Sequence, residues 1–199
     1  MAELFIELFS EDIPPKLQID ARQKIKQTIE ERLKKKEIKF NSSKSFSTPQ
    51  RLVFFIDGIP EKIEQKKKII KGPNIDAPQA ALDGFIKSNN LSKLDIYKKK
   101  LENKEFYFAE IKPKVIDILR ELQSIIPAAL QSYSWKKSMK WSVYDLSWGR
   151  PLKSIIALFD NKVINFSFFH LQSSNLTLID GTNEDKIKKV NSFKSYLSV

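Results

Sequence analysis

The chain has no cysteine among its 199 residues, so disulfides, thiol nucleophiles and cysteine-based zinc sites are all excluded. A single histidine, His170, cannot build a histidine-rich metal cluster. Only five glycines occur, at 58, 72, 84, 149 and 181, never in the spacing of a P-loop or a dinucleotide fingerprint. No catalytic constellation and no metal site are therefore expected. The longest apolar runs, such as 155–159, are too short to span a bilayer. The first residues carry Glu3 and Glu7 in place of a basic head and an apolar run, so no secretory signal is expected. These absences leave a soluble cytoplasmic protein as the expectation, with no membrane partner.

Arginine is also scarce. Of 35 basic residues only Arg22, Arg32, Arg51, Arg120 and Arg150 are arginine, and the net charge is +11. That excess of positive charge points to an anionic partner, most often nucleic acid. Its lysine bias points equally to an ordinary solvated surface, because arginine is the usual residue for bidentate phosphate and base contacts. Three lysine triplets, at 34–36, 66–68 and 98–100, recur every 32 residues with unrelated flanks, and the period is read as coincidence.

An apolar content of 41% beside 30% charged residues describes a folded domain with a solvated surface. Residues 4–9 read as a short strand, and Pro14-Pro15 set the first turn of a helix, with Ser10, Glu11 and Asp12 as its capping acceptors. Acid–base chemistry at Glu11-Asp12 is the alternative reading. Leu17, Ala21, Ile25, Ile29 and Leu33 mark one face of that helix. Residues 51–57 read as a strand buried on both faces and ended by Asp57-Gly58. A second helix is predicted over about 77–87, with Ala80, Ala81 and Phe85 inward. Strands over 95–101 and 105–112 meet around 102–104. A third helix is predicted to open at Pro113, with Ile116, Leu119, Leu122, Ile126 and Leu130 along one side, and to kink or break at Pro127. Asp160-Asn161 joins the strands 155–159 and 163–168 in a hairpin. The fold class is α+β, a mixed or antiparallel sheet with packed helices, with a subdomain break expected near 113 and a polar tail over 178–199.

Several segments are candidates for binding. Lys71 sits in Lys71-Gly-Pro73, where glycine permits close backbone approach and proline stiffens the bend; an ordinary turn is the alternative. Arg51 stands at the start of a strand, where it can hold an anion or pair with a nearby carboxylate. All three tryptophans, Trp135, Trp141 and Trp148, lie within fourteen residues, interleaved with Lys136, Lys137, Lys140 and Arg150. Such interleaving suits either a stacking platform for unpaired RNA bases or a packed core. His170, after Phe168-Phe169, reads as a packed histidine in preference to a general base.

These segments, in order, resemble the β subunit of bacterial heterotetrameric glycyl-tRNA synthetase. The acidic pair with two prolines and a lysine at 11–16 resembles that family's opening. Thr48-Pro-Gln-Arg-Leu52 resembles its Thr-Pro-Arg-Arg-Leu box, with Gln50 replacing one arginine. Lys71-Gly-Pro73 with Ala80-Ala-Leu-Asp-Gly-Phe85, Lys137-Ser-Met-Lys-Trp141 and Trp148-Gly-Arg-Pro151 resemble three further boxes. The family's threonine leads into Gly-His-Arg-Phe, whereas Thr177 here leads into Leu-Ile-Asp-Gly-Thr-Asn. Val199 falls well short of the usual β-subunit length, so the family's HD-like and helical anticodon-binding domains are expected to be absent. The resemblance implies support of ATP-dependent glycyl-tRNA formation through subunit assembly and tRNA binding. Catalysis, with ATP and magnesium, is then in an α subunit of an α2β2 complex, and this chain binds no cofactor and is inactive alone. It also implies tRNA(Gly) as a partner, with Arg51, Lys71, Lys136, Lys140 and Arg150 as RNA-contact candidates and the three tryptophans as stacking candidates. A stand-alone basic RNA-binding module and a structural remnant are the rival readings.

Overall fold

A computed structural model describes residues 2–64, 68–89, 91–101, 104–111, 115–179 and 186–199. The chain opens with β1 (Ala2–Ser10), α1 (Pro15–Lys35), β2 (Ser42–Thr48) and β3 (Arg51–Ile59). It continues through β4 (Lys62–Glu64), β5 (Lys68–Asn74), α2 (Gln79–Ser88), β6 (Ile96–Leu101), β7 (Lys104–Ile111) and β8 (Val115–Asp117). Next come α3 (Ile118–Ser132), β9 (Leu152–Phe159), β10 (Lys162–Val163), β11 (Ser167–Phe168) and β12 (Leu171–Ser174). The last elements are β13 (Leu176–Leu178), β14 (Ile187–Lys189) and α4 (Phe193–Leu197). The result is α+β, as the sequence predicts.

Two compact units share the chain. One comprises Met1–Ile63 with Asp117–Val199, and the other Glu64–Ile116. The chain passes from one unit to the other at 63/64 and back at 116/117.

The larger unit is built on a sheet of order β11-β12-β9-β1-β3-β2, with β10 paired to β9. Most pairings are antiparallel, and β12 runs parallel to β9. β1 is central and buried on both faces, which accounts for its nearly unbroken apolar sequence. Leu4, Ile6 and Leu8 alternate to one side and Phe5, Glu7 and Phe9 to the other. α1 lies on the first side: its Glu30 accepts a hydrogen bond from Ser43 Oγ of β2, and Ser43 is registered opposite Ile56 of β3. Its buried stripe is Gln18, Ala21, Ile25, Ile29 and Leu33, and α3 packs beside it. Gln18 replaces the predicted Leu17 in that stripe, its amide donating to the carbonyl of Ile13 at 2.6 Å.

The opposite side of the sheet is covered by the last part of the chain. Val190 is fully buried among Phe5, Val53, Ile156 and Leu158, and Phe193 and Tyr196 of α4 pack on the same cluster. Val190, Phe193 and Tyr196 thus join the core of this unit from within the segment read as a polar tail, and the polar composition around them hid the contribution. Residues 180–185 lie outside the described set.

Several local expectations are corrected. α1 has Pro14 at its N-cap and no side-chain cap; Glu11 and Asp12 are exposed, so the proline pair alone sets the entry. β3 does not end at Gly58. It runs on to Ile59 through a bulge opposite β1, and Gly58 takes the left-handed conformation, φ +80°, that such a bulge requires. Of the kink or break expected at Pro127, the break does not occur: α3 continues through it, because Ile125, Ile126, Ala129 and Leu130 around it are all buried and hold the turn. Asp117 caps α3, accepting from Leu119 N–H at 3.1 Å, whereas Pro113 lies outside the described residues. Asp160 and Asn161 both have positive φ, the tight turn expected of that pair, but β10 is only two residues long and the chain then leaves the hairpin.

The smaller unit is a three-stranded antiparallel sheet, order β5-β7-β6, with α2 packed on β5. Phe85 of α2 lies directly over Gly72, where a Cβ would sit 2.9 Å from the ring. Ala80 and Ala81 are exposed, contrary to expectation; Leu82, Phe85 and Ile86 form the half-buried side. Small residues resemble a packing stripe in sequence, yet the larger neighbours one turn away take the contact.

Candidate nucleic-acid interface

Four motifs far apart in sequence meet at one end of the large sheet. Because β1 is antiparallel to both neighbours, its end at Ser10 lies beside the start of β3 at Arg51 and the start of β9 at Leu152. Ser10 N–H donates to the Gln50 carbonyl at 2.8 Å, and Ile13 N–H to the Pro49 carbonyl at 2.7 Å. Glu11 N–H donates to the Pro151 carbonyl at 3.0 Å, and Arg150 Nε to the Asp12 carbonyl at 3.1 Å. The acid-proline turn, the Thr-Pro-Gln-Arg segment and the Gly-Arg-Pro segment are therefore one backbone-bonded cluster. The fourth motif joins through Met139, whose sulfur lies 3.7 Å from Arg150 Nη1.

Met139 also exchanges two backbone hydrogen bonds with Trp148, of 2.8 and 3.1 Å. That bridge closes a loop over 139–148 anchored by buried Leu146 and carrying Lys140, Trp141, exposed Val143 and Tyr144. Tyr144 stacks on His170, centroids 3.6 Å apart, and Trp141 meets the same imidazole edge-on at 5.9 Å. His170 is thus a packed histidine, held between two rings.

Trp135 and Trp148 belong to the core. Trp148 is 2% exposed and Trp135 7%, and their rings meet edge to face at 5.1 Å. Gly149 lies under Trp135, where a Cβ would stand 2.3 Å from the indole. Of the three predicted stacking residues, only Trp141 keeps part of its surface open. Interleaving with lysine cannot separate these cases, because burial alternates within a few residues.

The predicted cations have distinct settings. Lys136 is exposed and 3.8 Å from Asp20; Lys140 is exposed and 3.6 Å from Asp145. Pairs of this kind are worth little in water, so both ammonium groups remain available to phosphate. Asp20 is held below its ordinary value, first by its hydrogen bond with Lys24 and then by that with Tyr133. Lys71 belongs to the other unit, its Nζ 3.6 Å from the centroid of Phe106.

Arg51 is committed to a carboxylate, the alternative the sequence left open. Its Nη1 lies 2.9 Å from Glu7 Oε2 and donates to Thr177 Oγ1 at 3.2 Å, while its Nη2 donates to the Leu178 carbonyl. Thr177 Oγ1 donates to Glu7 Oε1 at 2.8 Å, and Tyr196 Oη donates to Glu7 Oε2. Glu7 is completely buried, and the Arg51 guanidinium lies 4.4 Å above Phe9. Sequence reasoning missed Glu7, Thr177 and Tyr196 as a set. A carboxylate between Phe5 and Phe9 on the inward side of an apolar strand was the available signal.

Burial, then the Glu7 charge, pushes the Tyr196 hydroxyl well above the ordinary phenol value. Desolvation and Asp20 do the same for Tyr133. Since the folded state holds these protons more tightly than the unfolded chain, their stabilisation is complete below pH 10 and is lost as pH rises beyond it. Alkaline titration followed by circular dichroism is expected to show stability falling from about pH 10, and Tyr196→Phe to weaken that dependence. An unchanged profile in the variant would contradict this assignment.

Among the described residues, no three His, Asp or Glu side chains gather as a metal site. No described helix is long and apolar enough to cross a membrane.

Comparison with known proteins bears on the whole motif cluster. The family model described as glycyl-tRNA synthetase beta subunit matches residues 4–199, so the likeness runs through Thr177 and the segment beyond it. The chain is 36% identical over 196 residues to a glycine–tRNA ligase beta subunit of Rickettsia bellii (strain OSU 85-389), covering 98% of this chain and 30% of that protein. It is likewise 36% identical to the Rickettsia prowazekii (strain Madrid E) protein, covering 29% of it, and 38% identical over 176 residues to that of Rickettsia felis, covering 88% of this chain and 26% of that protein. The chain thus spans about 30% of the length of these relatives. With four of the motifs assembled in one place and the match running from residue 4 to the last residue, this chain belongs to the glycyl-tRNA synthetase beta subunit family.

Proposed function

We propose that this chain supports ATP-dependent formation of glycyl-tRNA as the amino-terminal part of a β subunit, by assembling with an α subunit and by binding tRNA(Gly). The family match over residues 4–199 is the observation that carries this reading. The relatives' names, as beta subunits of a glycine–tRNA ligase, supply the α partner; an α2β2 assembly in the cytoplasm follows from the same reading.

Chemistry is assigned to the α subunit, together with ATP and magnesium, and this chain by itself does not charge tRNA. The sequence carries no glycine-rich phosphate loop of the P-loop or dinucleotide kind. What it does offer is exposed positive charge beside the motif cluster, at Lys136 and Lys140, with half-buried Arg150 held against the Asp12 carbonyl. Lysines on a rigid anchored segment provide phosphate contacts that position a tRNA without reading its sequence. Arg51 drops out of the contact set, since three of its hydrogen bonds tie it to Glu7, Thr177 and Leu178 within the fold. Trp141 is the stacking residue of this segment.

The double charge reversal Lys136→Glu with Lys140→Glu is expected to weaken tRNA binding by 10-fold or more at about 50 mM salt, and much less at about 200 mM. Binding is measured by fluorescence anisotropy, with co-elution with the α subunit retained on size-exclusion chromatography. Equal affinities for variant and parent throughout the salt series would remove these lysines from the interface. Separate elution of parent and α subunit would remove the assembly role.

A further inference from the structure

We propose that one face of the β5-β7-β6 sheet, in the unit 64–116, is a second RNA site that stacks unpaired bases. The proposal rests on the RNA-binding reading above and concerns a different surface. Register places Tyr97 opposite Phe108 and Lys99 opposite Phe106 on one face, and Lys71 opposite Phe108 on the same face. Phe108 forms the floor, at 7% exposed, and Tyr97 stacks against it with centroids 6.1 Å apart while remaining 39% exposed. Lys71 lies over Phe106 at 3.6 Å, and Lys99 over Phe108 at 5.9 Å.

A base can lie on the exposed ring of Tyr97 while its phosphates lie against the ammonium groups of Lys71 and Lys99 on the same face. Charge also chooses the occupant. Lys71 and Lys99 flank the aromatic pair on its own face, and Lys98 and Lys100, on the other face of the exposed edge strand β6, add positive charge along the same edge. Glu110, at the far end of β7 on the aromatic face, already has an interaction of its own. Duplex RNA buries its base faces, so the ligand is single-stranded. This site also accounts for Lys71 and Lys99, which the motif cluster of the larger unit does not absorb.

The test uses the 199-residue chain with a fluorescein-labelled single-stranded oligouridine of about eight nucleotides, within the range one such platform covers, and a hairpin duplex as control. Tyr97→Ala is expected to weaken oligouridine binding by about 10-fold or more and to leave hairpin binding unchanged. Tyr97→Phe should restore it. Tyr97→Leu, which keeps apolar bulk without a ring, should not. Lys71→Ala and Lys99→Ala should each flatten the salt dependence by about one ion. Unchanged oligouridine binding in Tyr97→Ala and Tyr97→Leu overturns this site while leaving tRNA binding through Lys136 and Lys140 intact. A parent chain that binds neither RNA overturns both.

Discussion

Arg51→Ala is expected to lower the unfolding free energy by about 3–5 kcal/mol, the range for breaking a buried ion pair from one side. The reason lies with the partner left behind. Glu7 is 0% exposed, and in the folded chain its carboxylate receives hydrogen bonds from Arg51, Thr177 and Tyr196. Without the guanidinium, two neutral hydroxyls must hold a buried negative charge. Arg51 also donates to the Leu178 carbonyl and covers Phe9, so the cut removes a fastening between β3 and β13 as well. Urea denaturation should show a shifted midpoint with little change in slope. The double replacement Glu7→Met with Arg51→Met is expected to recover much of the loss, because it removes the unpaired charge and keeps the volume. Lys140→Ala, cutting an exposed pair, should cost less than about 1 kcal/mol. A similarly small loss for Arg51→Ala would show that Glu7 is solvated when alone.

Trp148→Ala is expected to cost about 3–5 kcal/mol, typical of deleting a buried indole. Its ring is 2% exposed and meets Trp135 on one side and Phe168, edge-on at 5.6 Å, on another. Its backbone also closes the 139–148 loop onto Met139, so the cavity opens beneath the segment that carries Lys140 and Trp141. tRNA affinity should therefore fall in this variant together with stability. Trp141→Ala separates the two effects: it is expected to cost at most about 1 kcal/mol, as for a partly exposed residue, while still reducing RNA-induced quenching of tryptophan fluorescence. Stability losses of equal size for Trp141 and Trp148 would contradict the division into one open and one packed tryptophan.

Much of the fold was legible beforehand because it rests on local periodicity. The four-residue spacing of Ala21, Ile25, Ile29 and Leu33 is the buried stripe of α1, and the alternation in 105–111 is that of β7. Asp160-Asn161 marked a tight turn, since few other pairs accept two positive φ angles. Expectations failed where tertiary contacts outweigh local preference. Pro127 inside α3 is tolerated because the helix is held by its buried side, and the Ala80-Ala81 pair is outward because larger neighbours fill the contact.

By itself, the sequence determined the class of fold, the order of the motifs and the resemblance that the family match supports. These depend on residue type and spacing, which a chain carries whether or not it is folded. Only the tertiary structure decided which of those residues meet. Glu7, Arg51, Thr177 and Tyr196 span 190 positions and form one buried network because β13 and α4 cover the face of the sheet from which Glu7 of β1 and Arg51 of β3 project. The same covering made Val190 of the polar last segment part of the core, while packing against each other and Phe168 turned Trp135 and Trp148 inward and left Trp141 half open. Burial is a property of what covers a residue, and for Glu7 the covering elements come from the opposite end of the chain.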